Sequence, residues 1–180
     1  MKAVVFLADG FEECEGLIVV DILRRAGVET VMASIMEDLM VDSSRNILIK
    51  ADAMAEEIDY GSVDLIVLPG GRLGTENLAG SELVQKQCRA FAEDKYVAAI
   101  CAAPSALAQL GLLEGKRATV HPDFEHAMCG AVLTRESVTK DGRIVTGQGL
   151  GAAFQFSFEL VRLLVGEEKA KEIQKAICWS

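Results

Sequence analysis

Short apolar runs alternate with segments of helical spacing along most of the chain. The runs Lys2–Leu7, 64–68 and Tyr96–Ile100 are continuous rather than alternating, which is typical of parallel strands buried on both faces. Between the first two runs, apolar residues recur at helical spacing over 15–26, and Gly27 provides the stop. The pattern also predicts strands at 29–34, 117–120 and 143–146, a hairpin at 39–50, and helices at 81–94, 149–165 and 167–177.

This alternation predicts an α/β fold with a mainly parallel sheet and helices on both faces. No linker, repeat or low-complexity segment interrupts it, so we expect one domain over residues 1–180. Ligand sites in open α/β sheets form at the carboxyl ends of the strands. Three predicted strand ends carry unusual residues, and we expect them to share one crevice: 10–15, 69–74 and the segment that begins at Cys101.

Composition and charge narrow the range of functions. Apolar residues make up 51% of the 180 positions and aromatic residues only 6%, which suits a compact α/β protein with an aliphatic core. The formal net charge of −9 would repel phosphate backbones and anionic lipids, so we expect neither nucleic acid nor a membrane as a partner.

The cysteines indicate a reducing compartment. There are five, an odd number, and no two form a C-x-x-C pair, so a disulfide framework is not expected. The first apolar run ends at Asp9-Gly10, too early for a signal peptide, and no run reaches the length of a membrane span. We therefore predict a cytoplasmic protein.

The strongest chemical signal is the segment around Cys101. Small residues, Ala99 and Ala103, stand two positions before and after this cysteine, between a predicted strand and a predicted helix with Pro104 in its first turn. A nucleophile on a sharp strand-to-helix turn requires such small neighbours, as in the Gly-x-Ser-x-Gly elbow of hydrolases. A helix N-terminus would also favour the thiolate. The residues alone leave a second interpretation open, because cysteine often packs as a small core residue.

Taken together, these segments resemble the ThiJ/PfpI superfamily, and within it the DJ-1-like branch. The resemblance runs in order over nearly the whole chain. It is carried by the segments 10–15, 21–27, 44–45, 64–71, 98–104, 120–122 and 146–151.

The resemblance implies a flavodoxin-like sandwich and a homodimer. At the matching positions, Cys101 would be the nucleophile, Glu15 the carboxyl beside its sulfur, and His121 a nearby histidine. The backbone N–H groups of Gly71 and Ala102 would form an oxyanion site.

The resemblance also places Arg45 near the pocket and the dimer interface, which would include the first helix near Asp21 and Arg25. The proteolytic branch has a histidine directly after the cysteine, whereas Ala102 stands there in this chain. That departure argues against a tight cysteine–histidine protease dyad.

Elementary chemistry constrains these roles. A carboxylate beside a thiolate would repel it, so Glu15 is useful only if burial raises its pKa and lets it hold a proton. A simpler role remains for each candidate: Glu15 could merely favour the helix dipole, as we expect for Glu12 and Glu13, and His121 could merely fill a loop. His126 is expected to be structural, and the two histidines lack further ligands at zinc-like spacing, so neither a metal nor another cofactor is predicted.

Three functions follow from the resemblance. The first is a cofactor-independent cysteine enzyme acting on reactive dicarbonyls, converting methylglyoxal to lactate as a glyoxalase or removing early glycation adducts as a deglycase. The second is an oxidative-stress sensor or chaperone-like protein in which Cys101 is oxidised to a sulfinate stabilised by Glu15. The third is a role in thiamine (thiazole) biosynthesis, suggested only by the traditional family label.

Overall fold

The computed structural model describes residues 1–179. The strands are β1 Lys2–Leu7, β2 Glu29–Ser34, β3 Met40–Asp42, β4 Leu48–Lys50, β5 Ala53–Met54, β6 Leu65–Leu68, β7 Tyr96–Ile100, β8 Arg117–Ala118, β9 Val132–Leu133, β10 Val138–Asp141 and β11 Ile144–Gly147; the α-helices are α1 Glu13–Arg25, α2 Arg72–Gly80, α3 Glu82–Asp94, α4 Pro104–Gln109, α5 Ala153–Leu164 and α6 Glu167–Ala176. A central seven-stranded sheet has the order β10-β11-β7-β6-β1-β2-β5, and every neighbouring pair is parallel except β10–β11. Two small two-stranded sheets lie outside it.

The continuous apolar runs of the sequence become central strands because both faces of the sheet are covered. Along β1, Val5 and Leu7 pack into the core beneath α1 and α5, whereas Val4 and Phe6 pack into the core beneath α3 and α4. All four side chains are fully buried. Burial of each such side chain contributes roughly 1.5–3 kcal/mol, so the two cores hold the strand ends in fixed relative positions.

Four adjacent parallel strands set the position of the site. β11, β7, β6 and β1 lie side by side in the sheet, and their carboxyl ends lie along one edge. The order also reverses here, because β1 is followed by β2 on one side and has β6 on the other. Such a reversal opens a crevice between the loops that leave the strands.

The predicted architecture is confirmed, and the differences are local. Strands β1, β2 and β7 have the predicted bounds, and the 39–50 segment forms the β3–β4 hairpin. The segment predicted as a strand at 117–120 is shorter and pairs with β9 in a side sheet instead of the central one. The helix predicted from 149 begins only at Ala153, since a 3-10 turn occupies Leu150–Ala152.

Helix α2 and strands β5, β9 and β10 were not predicted. Helix α2 begins directly after Pro69-Gly70-Gly71, a sequence that resembles a loop, and it contains glycines at positions 74 and 80. Strand β10 carries few apolar residues and pairs at the sheet edge, where one side needs no apolar cover.

Candidate active site

Cys101 lies on a strand-to-helix turn, as the sequence predicted. It follows the last residue of β7 and adopts a φ of 64°, a left-handed conformation uncommon for a residue other than glycine. Its N–H donates to the carbonyl of Gly147 and its carbonyl accepts from the N–H of His121, both at 2.9 Å. The backbone is thereby held on both sides, and the partly buried Cys101 borders the cleft while it also packs against the core.

Glu15 is the buried carboxyl of this cleft. It lies in the first turn of α1 with no exposed surface, and its Oε2 accepts a hydrogen bond from the N–H of Gly70 at 3.0 Å. Its Oε1 makes no hydrogen bond of good geometry, although the carboxyl is near enough to the Cys101 thiol for each to shift the pKa of the other. Burial above all, and then the charge of Glu12, raise the pKa of Glu15 to about 7.

Gly70 makes the close approach of carboxyl and thiol possible. A Cβ built at this position would lie 2.6 Å from the Cβ of Cys101 and would also overlap Oε2 of Glu15. Any side chain here would separate the two groups. The sequence signal was the glycine pair at the end of a strand, but its role in making room for a second side chain was missed.

The thiol itself does not behave as the sequence suggested. Burial, and then the charge and hydrogen bond of Glu15, raise the pKa of Cys101 to about 12, while the N–H groups of Gly71 and Ala102 lower it. The expected help from a helix N-terminus is small because α4 is only six residues long. With both groups ionised, two negative charges would face each other in a buried site, so the pair keeps one proton through neutral pH.

The backbone N–H groups of Gly71 and Ala102 lie near enough to the sulfur to lower the pKa of Cys101. An oxyanion site for a covalent adduct would need donors in this position. Gly71 has a φ of 86°, and a Cβ there would collide with the backbone of residues 10–12, so only glycine fits.

His121 borders the same cleft but is oriented by its own loop. Its Nδ1 accepts the N–H of Asp123 at 3.3 Å, which assigns the proton of the neutral ring to Nε2. Its side chain is 42% exposed. A Cβ built at Gly149 would lie 3.4 Å from Cδ2 of His121 and 3.9 Å from Sγ of Cys101, so the imidazole and the sulfur flank the same space.

Glu12 and Glu13 have structural roles. Glu12 is the N-cap of α1, where its Oε2 accepts the N–H of Glu15 at 2.7 Å and fixes the turn that carries the buried carboxyl. Glu13 accepts a hydrogen bond from Ser44 of the hairpin at 3.3 Å.

Arg45 reaches the cleft from the β3–β4 hairpin. The hairpin is tied to the loop after β1 by two backbone hydrogen bonds of 2.7 Å, from Gly10 to the Asp42 carbonyl and from Ser44 to the Phe11 carbonyl. The cleft has two arms, of about 520 and 310 Å³, and both include Arg45, Cys101 and His121. All six predicted site residues therefore lie around one cleft. Its larger arm is completed by residues of the 148–152 loop, and its smaller arm by Arg72 and Phe124, which the sequence analysis did not single out.

Three further observations concern metal binding, membrane insertion and disulfide bonds. Within residues 1–179 no three His, Cys, Asp or Glu side chains are grouped so that they could hold a metal ion. No helix in that part of the chain is both long and apolar enough to cross a bilayer. All five cysteines are free.

The chain is similar to known proteins in both sequence and fold. The model of the DJ-1/PfpI family matches residues 1–163. Protein DJ-1alpha of Drosophila melanogaster is 38% identical, covering 99% of this chain and 84% of that protein, and a deglycase of Pyrococcus abyssi is 29% identical, covering 91% and 99%. The crystal structure of Drosophila melanogaster DJ-1beta superposes with a TM-score of 0.94 at 34% identity, covering 99% and 98% of the two chains.

Proposed function

Because the chain belongs to the DJ-1/PfpI family, we propose that it is a cofactor-independent cysteine enzyme that acts on reactive dicarbonyls. The reaction is of the glyoxalase or deglycase type. The observation that carries the proposal is the pairing of the Cys101 thiol with a fully buried carboxyl, Glu15, whose pKa is raised to about 7. The deglycase name of one relative points to the same chemistry.

The proton of the thiol has an acceptor in the site. Transfer from Sγ of Cys101 to the Glu15 carboxylate leaves the net charge of the pair at −1, so it avoids the cost of two facing charges. The thiolate then attacks the aldehyde carbon of methylglyoxal, forming a C–S bond and an alkoxide. The N–H groups of Gly71 and Ala102 stabilise the developing negative charge, and Glu15 returns its proton to that oxygen to give a hemithioacetal.

Glu15 also serves the second half of the reaction. As a carboxylate it removes the hydrogen from the former aldehyde carbon and, once protonated, delivers that proton to the neighbouring carbon, while the hydroxyl proton of the hemithioacetal passes to the former ketone oxygen. The ketone thus becomes a hydroxyl and the adduct becomes a thioester. Water hydrolyses the thioester to lactate and restores the thiol. His121, which faces the same space, is the group placed to activate that water.

Production of lactate tests the proposal. Purified protein and methylglyoxal should give lactate in steady state without added cofactor, and one lactate should form per methylglyoxal consumed. Consumption that stops at one methylglyoxal per Cys101 would show a trapped adduct and would contradict an enzymatic role.

Oxidation of Cys101 is the basis of the second candidate function, a sensor of oxidative stress. The N–H groups that face the sulfur, together with a protonated Glu15, would donate to a sulfinate, and charge-assisted hydrogen bonds contribute on the order of 1.5–3 kcal/mol each. Mild peroxide should then add two oxygens to Cys101 before the other cysteines react.

Two variants test the part played by Glu15 in that oxidation. Glu15→Gln keeps a donor and should still form sulfinate, whereas Glu15→Leu should stop at sulfenic acid or run on to sulfonic acid. Peptide mass spectrometry after graded peroxide measures both. Identical profiles for wild type and Glu15→Leu would contradict contact between Glu15 and the sulfur.

We also propose a homodimer whose interface includes α1 near Asp21 and Arg25, and Arg45. Asp21 and Arg25 form an exposed ion pair at 2.6 Å on the outer face of α1. Leu17, on the same helix, and Leu48, on the hairpin, are 37% and 57% exposed and would gain cover from a second copy. Sedimentation should show a dimer at micromolar concentration, and a monomer there would contradict the assignment.

A further inference from the structure

The smaller arm of the cleft carries two arginines without a carboxylate partner. Arg45 bonds only to the carbonyl of Ser44, at 3.1 Å, and Arg72 lies with its guanidinium carbon 4.9 Å from the centre of the Phe124 ring. Neither forms an ion pair within the described chain, even though acidic residues outnumber basic ones by 27 to 18. By contrast, five of the other seven arginines form ion pairs: Arg24, Arg25, Arg117, Arg135 and Arg162.

Both arginines line the same arm of the cleft as the reactive cysteine. The arm that they line, of about 310 Å³, also includes Cys101 and both residues whose N–H groups face its sulfur, Gly71 and Ala102. Arg72 is the first residue of α2, a nine-residue helix whose N-terminus no side chain caps. Backbone donors and two guanidinium groups therefore surround the same space next to the thiol.

Negative charge at the rim limits what the arm would accept. Glu12 and Asp123 also line it, and Glu13 lies close enough to Arg45 for their charges to interact, so carboxylates outnumber the two guanidinium groups around the arm. Glu12 is engaged at the start of α1, and Asp123 lies 3.8 Å from Nδ1 of His121. A group with one negative charge, such as a carboxylate, is favoured over a phosphate dianion, which these carboxylates would repel more strongly.

We propose that this arm, lined by Arg45 and Arg72, is a carboxylate subsite, and that the substrate of Cys101 is a dicarbonyl that carries a carboxylate. The proposal rests on the proposed function for the dicarbonyl, but the subsite itself does not require turnover. The carboxylate lies against the guanidinium groups while the aldehyde carbon lies at the sulfur. Keto acids that also carry an aldehyde next to the ketone belong to this chemical class.

Alkylation of Cys101 tests the subsite directly. Iodoacetate and iodoacetamide are nearly equal in size, and each forms an S–CH₂ bond with release of iodide, but only iodoacetate carries a carboxylate. The ratio of their rates at Cys101, measured by peptide mass spectrometry, cancels any change in thiol ionisation. We expect Arg72→Gln and Arg45→Gln each to lower the ratio about five- to tenfold relative to wild type, which corresponds to the strength of one charge-assisted contact.

The chain offers a matched control. Arg143 also lacks a carboxylate partner and stacks on Tyr96, with its guanidinium carbon 5.7 Å from the ring centre, but it lies outside the cleft. Arg143→Gln should leave the ratio unchanged. An unchanged ratio in Arg72→Gln and Arg45→Gln, or an equal drop in Arg143→Gln, would overturn the subsite.

Competition experiments separate the possible anions. Lactate should protect wild-type Cys101 from iodoacetamide and should protect Arg72→Gln several-fold less, whereas lactamide should protect neither. Protection by phosphate but not by lactate would overturn the assignment to a carboxylate.

Turnover distinguishes the subsite from the proposed function. The ratio kcat/KM should be at least tenfold higher for 4,5-dioxopentanoate, a dicarbonyl with a carboxylate, than for methylglyoxal, and this preference should fall in Arg72→Gln. If neither compound is converted while the alkylation ratio behaves as expected, the proposed function fails and the subsite stands. If both are converted equally and the alkylation ratio does not respond to the arginines, the subsite fails alone.

Discussion

Cys88 and Cys101 are two cysteines in contrasting surroundings. Cys88, on α3, is fully buried among aliphatic side chains beside a cavity of about 220 Å³, and burial raises its pKa to about 12. Burial also raises the pKa of Cys101 to about 12, but there the charge and hydrogen bond of Glu15 raise it further and two N–H groups oppose the change. The comparison teaches that a perturbed thiol does not define a reactive site. A reactive site also needs a group that takes the proton and donors that receive the charge.

The strongest test of this comparison is to replace each cysteine by alanine in turn and to measure turnover. Cys101→Ala should reduce conversion of a dicarbonyl to the background rate while the fold survives, because the backbone contacts of residue 101 do not involve its side chain. Cys88→Ala and Cys14→Ala should retain turnover. Lactate assays combined with circular dichroism measure both properties, and wild-type turnover in Cys101→Ala would refute the assignment.

Removing Glu15, the proton acceptor, should make Cys101 almost as unreactive as Cys88. Glu15→Gln should lower kcat by about 10²–10⁴-fold, the usual contribution of a general acid/base, without removing the hydrogen-bond acceptor for Gly70. In wild type the rate of Cys101 alkylation should rise as the pH passes through about 7, where the pair loses its first proton, and this rise should be absent from Glu15→Gln. The exposed Glu76, on α2, supplies the matched control Glu76→Gln. A retained inflection in Glu15→Gln would assign it to another group.

The free energy of unfolding should show the cost of burying the Glu15 carboxyl beside Cys101, a cost that does not arise at Cys88, which has only apolar neighbours. The folded-state pKa of Glu15, about 7, lies above its ordinary value of 4.5, so the folded state binds the proton more tightly. The stabilisation is complete below pH about 4.5 and is lost as the pH rises through about 7, by roughly 3 kcal/mol in total. The free energy of unfolding of wild type should therefore fall between pH 5 and pH 8 more than that of Glu15→Gln. Urea titrations at the two pH values measure this, and parallel changes in both proteins would contradict it.

The smallest expected effect concerns the inert cysteine. Cys88→Ser places a hydroxyl in an apolar environment and should destabilise the fold by about 1–3 kcal/mol, whereas Cys88→Ala should cost less because no polar group is left unsatisfied. Activity per folded molecule should be unchanged in both. A larger loss from Cys88→Ala than from Cys88→Ser would show that the site tolerates a polar group and is not the apolar counterpart described above.

The elements that the sequence predicted well are those governed by local rules. The turn at Cys101 was recognisable because small residues, a proline and a change from strand to helix pattern coincide. The helix predicted at 81–94 follows from similarly local spacing and is found as α3. The partner of Cys101 was not deducible in this way. Glu15 is distant in the sequence, and its place beside the sulfur was expected only through the resemblance to a family.

What could not be predicted depends on several segments at once. The raised pKa of Cys101 results from burial and from a carboxyl on another helix, and no local pattern encodes either. Helix α2 was missed because the glycines that shape the site also weaken the helical pattern. The position of Arg72 in the cleft was therefore missed with it.

The backbone at residue 101 has a consequence for how such a scaffold can change. Its left-handed turn is held by hydrogen bonds from Cys101 to Gly147 and from His121 to Cys101 that involve only main-chain atoms. The turn therefore holds residue 101 in the same position whichever reactive atom its side chain carries. Replacing the sulfur with oxygen or selenium would change which electrophiles are attacked and leave the fold in place, so one substitution is enough to change the chemistry of the site.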